Sequence, residues 1–159
     1  IDTPFDAAIT YGQSQGDNLQ DLLLFSEQLT PICQPAVYLE KFDPQLTIGD
    51  NLQNFSWLHA TENRSDWQLW LSAAGGEQWQ PLEHQHFPTL DMTMTAAAQG
   101  LGMAMGDKTL IVEDLQQGRL QAPFALSIST GAHYLFSYPK SSPLPAELNT
   151  LANWLKLDD

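Results

Sequence analysis

Hydrophobic positions along this chain fall into short clusters whose spacing switches between strand-like and helix-like periods. Phe5-Asp6-Ala7-Ala8-Ile9-Thr10-Tyr11 is a mostly apolar run closed by the turn-rich stretch 12–18, the pattern of a buried strand. Two more apolar runs, 22–25 and 29–33, predict extended segments ended by Pro35, and a polar stretch over 43–54 leads to a strand at 55–59. Trp67, Trp70, Leu71 and Ala74 then recur on one helical face. They lie between a capping-box pattern (Ser65 with Gln68) and the stop Gly75-Gly76, so a helix is predicted over 65–74. Met92, Thr95, Ala96 and Gln99 mark a second helix over 91–99, which Gly100-Leu101-Gly102 turns into a short strand at 103–105. Asp107 is placed to cap a third helix over 107–117, with Leu110, Ile111 and Leu115 as its stripe and Gly118 beyond its end. A strand at 134–138 precedes a last helix over 145–155, opened by Pro145 and striped by Leu148, Leu151, Ala152 and Leu155. Strands alternating with helices predict an α/β layer structure.

Composition narrows function more than fold. The 159 residues, 43% of them hydrophobic, suffice for one domain or two small lobes. Six Lys+Arg stand against 19 Asp+Glu, a net charge of −13. Gripping nucleic acid takes clustered cations, and six basic residues scattered from Lys41 to Lys156 exclude that for this chain by itself. No apolar run approaches the ~20 residues of a membrane span, so no membrane partner is expected. The opening residues carry no signal-peptide or transit-peptide pattern. Cys33, the single cysteine, has no internal disulfide partner, which points to a reducing, cytoplasmic setting.

Several motifs invite chemistry and fail a local test. Gly12-Gln13-Ser14-Gln15-Gly16 spells a nucleophile elbow, but that geometry needs a helix straight afterwards, and a Leu-rich extended segment follows. His84-Gln85-His86 would put two imidazoles on one face of a strand without a second ligand cluster, so an exposed strand edge outweighs a metal site. Cys33 has no cation near it in sequence to activate it. Gly100-x-Gly102 lacks the third glycine of a dinucleotide fingerprint. The tetrapeptide Asp-Asn-Leu-Gln at 17 and again at 50 has unlike surroundings and is no fold repeat. No catalytic constellation emerges, so no enzyme activity, metal or cofactor is expected.

Six segments taken together carry a family resemblance. Phe5 to Gly12 resembles the "D-x-A-I-R-Y-G" strand of LysR-type transcriptional regulators, with Thr10 in place of the arginine, and Leu29-Thr30-Pro31-Ile32-Cys33-Gln34-Pro35 resembles their "L-x-P-V-C-S-P". Asp66-Trp67-Gln68-Leu69-Trp70-Leu71 is similar to the "D-W-x-x-W-L" helix of the branch holding glycine-cleavage activators and β-lactamase regulators. The run from Ala96 to Gly106 resembles "A-A-x-x-G-x-G-I-A-L-G". Gly118 to Phe124 and Tyr134 to Pro139 resemble "G-R-L-V-x-P-F" and "Y-Y-L-V-Y-P". The resemblance implies a periplasmic-binding-protein-like (type 2), two-lobed α/β regulatory domain, truncated at its N-terminus so that the first lobe is incomplete. Residues 1–21 and 123–159 would form that partial lobe and 22–122 the second. The winged helix-turn-helix would be absent from this chain.

By the same resemblance the function is effector binding in a bacterial regulator. A small polar metabolite, an amino acid or similar, would sit in an interlobe cleft and control a DNA-bound homo-oligomer (a dimer or tetramer), with DNA reached only through the absent domain. The alternative is a free-standing small-molecule-binding or protein-interaction domain of the same fold. Open α/β sheets bind ligands at the carboxyl ends of their strands, which puts Tyr11, Gln13, His59 and Thr61 at the expected mouth. Thr89, near a helix N-terminus, would offer a hydroxyl to a carboxylate, and His133 would be a wall residue. A capping Thr89 and a surface His133 are the plainer readings.

Overall fold

Side-chain caps open two of the helices, at Thr47 and Thr89. In the computed structural model, which describes residues 6–13, 18–60, 62–140 and 143–156, Thr89 accepts the Met92 N–H at 3.2 Å and opens a helix over Leu90–Ala98. The helix Ser65–Ala74 has the predicted bounds and ends on Gly75 at φ 68°, but its start differs from the expected capping box. Arg64 occupies the cap position in a left-handed conformation, and the Asn63 side chain accepts the Ser65 N–H at 3.1 Å.

In chain order the strands and helices are β1 (Ala8–Gly12), β2 (Leu19–Ile32), α1 (Pro35–Lys41), α2 (Ile48–Leu52), β3 (Trp57–His59), α3 (Ser65–Ala74), β4 (His84–His86), α4 (Leu90–Ala98), β5 (Met103–Asp107), α5 (Val112–Gln116), β6 (Ile128–Pro139) and α6 (Ala146–Leu155). The chain divides into two compact units, Ile1–Glu27 with Gly131–Asp159, and Gln28–Thr130.

In the first unit β6 lies between β1 and β2. β1 pairs antiparallel with β6, with Ala8 opposite Ser137 and Gly12 opposite His133. One face carries the apolar core, where Leu24, Phe136 and Ala152 of α6 are buried with Leu22, Phe25, Tyr134, Leu148 and Leu155 around them. On the same three strands Ser137 donates to Asp21 at 2.6 Å and shares a 3.0 Å hydrogen bond with Thr10.

In the second unit the sheet order is β2, β5, β3, β4. The end of β2 pairs antiparallel with β5, while β3 pairs parallel with both β5 and β4. All three residues of β3 are buried. Gly102 enters β5 where a Cβ would stand 2.2 Å from the Ser56 carbonyl oxygen, so only glycine allows the two backbones to approach. Trp57, Trp67, Trp70, Phe55, Leu52 and Met103 form one buried cluster, and Ile32, Leu58, Ala97, Ala104 and Ile111 another.

Four expectations need correction. The separate segments at 22–25 and 29–33 are one strand, β2, because the polar Ser26-Glu27-Gln28 between them stays in the ladder; Glu27 is buried and accepts the Tyr11 hydroxyl at 3.0 Å. Pro35 starts α1 at its first helical turn instead of only ending a strand. The polar stretch 43–54 contains α2, capped by Thr47 accepting from Asp50 N at 3.2 Å. The helix expected over 107–117 shrinks to α5, because Asp107 is the last residue of β5 and spends its carboxylate on the Gln28 and Thr109 N–H groups. The start of the first predicted strand, at Phe5, lies outside the described residues.

Asn51, 1% exposed, staples the loop before α2: its amide donates to the Asp43 and Thr47 carbonyls at 2.8 and 3.1 Å, and its oxygen accepts Asp43 N at 2.7 Å. Asn51→Ala leaves these buried backbone groups unpaired, and a loss of about 2–3 kcal/mol in unfolding free energy is expected. Urea titration followed by tryptophan fluorescence measures it; a loss under about 0.5 kcal/mol would refute the staple.

Candidate functional site

The six residues singled out from sequence divide between the two units. On the first, Tyr11 and Gln13 end β1 and its following bend, both exposed, and His133 stands on β6 opposite Gly12. Tyr11 pairs with Tyr134 across the ladder, their ring centroids 5.0 Å apart, so Tyr11 and His133 point to opposite faces of the sheet. Each meets a neighbouring residue of β2: the Tyr11 hydroxyl donates to Glu27, and His133 Nδ1 shares a 3.0 Å hydrogen bond with Ser26 Oγ. Ser26 and Glu27 were not foreseen, because apolar runs on both sides of them suggested a break in the strand.

On the second unit His59 ends β3 and Thr89 caps α4; Thr61 lies outside the described residues. The Thr89 hydroxyl oxygen takes the Met92 N–H and its carbonyl takes the Thr93 hydroxyl at 2.9 Å, so the capping role is real and the Thr89 O–H hydrogen is still available to a ligand. Of the Gly12–Gly16 stretch, Ser14 is outside the described residues, and the next described element is the strand β2, not the helix a nucleophile elbow requires.

His59 does not stand alone. Parallel pairing puts Trp57 opposite His84 and His59 opposite His86, which brings three of the chain's four histidines together. His59 Nε2 lies 2.8 Å from His84 Nδ1, and its ring stacks on His86 with centroids 4.9 Å apart at 24°. Trp67 of α3 presents an edge contact to His59 at 6.4 Å. His59 is 2% exposed, and its Nδ1 has no hydrogen-bond partner among the described residues. The stacked and mutually bonded rings do not converge on a point, and among the described residues no group of three histidine, cysteine or carboxylate side chains is arranged to hold a metal. Burial, with the neighbouring His84, His86 and Arg64, pulls the His59 imidazole down to about 4; burial and Arg64 lower His84 as well.

Two other buried groups frame the same unit. Asp107 is 2% exposed, and burial raises its carboxyl above the usual range against the pull of the Thr109 and Gln28 hydrogen bonds. It lines a hollow of about 410 Å³ with Leu90, Asp91, Met94, Leu110 and Asp114. Cys33 is fully buried and its thiol is pushed up to about 12, an inert state for a nucleophile.

A model described as the LysR substrate binding domain matches residues 2–158. The transcriptional activator AmpR of Pseudomonas aeruginosa is 31% identical over 131 residues, 82% of this chain and 42% of its own length. The glycine cleavage system transcriptional activator of Escherichia coli K12 is 26% identical over 151 residues, 94% of this chain and 48% of its own. This chain therefore spans less than half the length of either relative. The solved effector domain of Pseudomonas aeruginosa AmpR superposes with a TM-score of 0.70 at 27% identity, over 94% of this chain and 69% of that one. The effector binding domain of Citrobacter freundii AmpR gives 0.74 at 22% identity, over 95% and 72%, a likeness of fold.

The lowered His59 pKa fixes a sign for acid stability. An unfolded histidine takes a proton near pH 6.5 and the folded one only near 4, so the unfolded state holds more protons between those values. The neutral ring's contribution is complete above pH 6.5 and is lost as pH falls toward 4, on the order of 3 kcal/mol in all. Urea unfolding of the wild type and His59→Gln at pH 7 and pH 4.5 reads this as a steeper acid loss in the wild type. Parallel losses would show that His59 is not linked to folding.

Proposed function

The chain belongs to the LysR substrate-binding domain family, and we propose that it serves as the effector-binding domain of a bacterial LysR-type transcriptional regulator. Its fold is the α/β, periplasmic-binding-protein-like (type 2) fold of such effector domains. The observation that carries the proposal is the AmpR effector domain, alike in fold over 94% of this chain at 27% identity. The relatives that match are transcriptional activators, which supports binding without chemical conversion. Action in the cytoplasm is part of this reading, because the regulator must reach DNA; among the described residues no helix is long and apolar enough to cross a membrane.

In this reading the ligand is a small polar metabolite, an amino acid or a similar molecule, held by hydrogen bonds. The candidate effector-contacting residues are Tyr11, Gln13, His59, Thr61, Thr89 and His133. Thr89 is the best supported of these, because a hydroxyl donor stands beside the first-turn N–H groups of a nine-residue helix. DNA contact would belong to a further part of the regulator, since a chain with 19 acidic and six basic residues repels phosphate. Homo-oligomers, dimers or tetramers, would carry the effector's signal to the DNA-bound state. β1 ends the sheet order and exposes Ile9 by 56%, which offers one edge for a second copy.

The test is calorimetry of the complete regulator, after a thermal-shift screen of amino acids and short peptides has found its effector. Thr89→Ala and His133→Ala are each expected to weaken the effector about three- to tenfold, the worth of one hydrogen bond. Unchanged affinity in both would overturn the site. A complete protein that neither binds DNA nor is stabilised by any small metabolite would overturn the function.

A further inference from the structure

We propose that the hollow between α4, the end of β5 and α5 is a binding site for a small aliphatic amine, with the ammonium group on Asp107 and the alkyl stem along Leu90, Met94 and Leu110.

The hollow measures about 410 Å³ and is lined from the second unit alone. Small-ligand sites span roughly 300–1,000 Å³, so it is large enough for such a molecule. None of the six residues expected to contact the effector lines it. Three carboxylates do, Asp91 on α4, Asp107 at the end of β5 and Asp114 on α5, and no basic side chain does. Asp114 is already paired with Arg119 at 2.5 Å. Asp91 and Asp107 have no ion-pair partner among the described residues. The N-terminus of α4 offsets only roughly half a charge of theirs.

Asp107 gives the sharper sign. It is 2% exposed, and its Oδ1 accepts the Gln28 and Thr109 N–H groups at 3.3 and 3.0 Å. Its Oδ2 is buried with no hydrogen-bond partner among the described residues. Buried polar atoms are ordinarily bonded, so an unmatched carboxylate oxygen on a residue lining a cavity calls for a donor from a ligand. Burial raises this carboxyl even against the pull of Thr109 and Gln28, and a bound cation would supply the compensation that the charged form lacks.

The rest of the wall is apolar: Leu90 and Met94 from α4, Leu110 and Ile111 from the turn before α5. Leu90 and Leu110 remain 40% and 49% exposed, and a methylene stem laid against them would take that surface out of water. A metal ion fits this wall poorly, since among the described residues no three histidine, cysteine or carboxylate side chains are arranged to hold one. An ammonium group donates three hydrogen bonds from a single point and needs fewer protein oxygens. An alkyl chain ending in an ammonium therefore matches both halves of the wall.

The experiment is a methyl NMR titration of this chain at pH 7 with n-butylammonium chloride. Ammonium chloride serves as the head alone and 1-butanol as the stem alone. Saturable shifts are expected at the methyl groups of Leu90, Met94, Leu110 and Ile111 with n-butylammonium, and binding at least tenfold weaker with either half. Asp107→Asn keeps an acceptor for the Gln28 and Thr109 N–H groups and should weaken n-butylammonium at least tenfold. Asp91→Asn, at an exposed position, should weaken it about threefold. Glu147→Gln on α6 should change nothing, which separates the site from general attraction to an acidic chain. Shifts that do not saturate, 1-butanol binding as tightly as n-butylammonium, or Asp107→Asn binding within twofold of wild type would each overturn the inference. Where Asp107→Asn does not fold, unchanged binding in Asp91→Asn overturns it. None of these results bears on effector binding through Thr89 and His133, which calorimetry of the complete regulator tests separately.

Discussion

The second unit depends on one aromatic contact, the stack of Trp57 on Trp67, with ring centroids 4.4 Å apart and planes within 3°. Both indoles are buried, and each spends its N–H on a backbone carbonyl, Trp57 on Leu52 and Trp67 on Leu58, at 3.2 Å. A buried indole N–H without a partner would cost about 1–3 kcal/mol, so these bonds decide which carbonyls the rings can sit under. The stack thereby fixes α3 against β3, and the end of α2 against both. Everything polar nearby takes its place from this pair. His84 meets the Trp57 edge at 6.0 Å, and His59 meets Trp67.

Elements that carry their own start and stop were legible in the sequence. α3, α4 and α6 each have a nearby cap, proline or glycine, and their bounds differ from expectation by a residue at most at either end, but the buried face of α4 is Thr93, Ala96 and Ala97, whereas Met92, Thr95 and Gln99 of the expected stripe are exposed. Elements whose signal lies in tertiary contacts were not. α2 looks polar because its buried members include Asn51, an amide that earns its place only once the Asp43 and Thr47 backbones surround it. The repeated tetrapeptide makes the same point. Asp50-Asn51-Leu52-Gln53 belongs to α2 and its cap, whereas Asn18-Leu19-Gln20 leads into β2. Local sequence sets a preference, and long-range pairing overrides it.

The candidate site was legible only as far as single residues go. The strand-end rule pointed to His59, and the spacing His84-Gln85-His86 pointed to two imidazoles on one face. That all three meet follows from the parallel register of β3 and β4, which separates partners by some 25 residues of chain and leaves no periodic trace.

Proximity of reactive groups is not catalysis, and the first unit shows why. Ser26 and His133 are 3.0 Å apart, the separation of a nucleophile and its base. Yet Ser26 lies within the fourteen-residue strand β2, where the backbone is extended and no strained turn lifts the hydroxyl toward a substrate. No third group orients His133 among the described residues, and the hydrogen bond ties β2 to β6 instead. The Ser137 hydrogen bonds to Asp21 and Thr10 do the same along these strands, so that hydroxyls and a carboxylate secure a three-stranded layer with one small helix-covered core. Polar side chains used in this way hold strand ends in fixed positions. Recognition by hydrogen bonds needs that rigidity, since a donor already held in place loses less entropy when a ligand arrives.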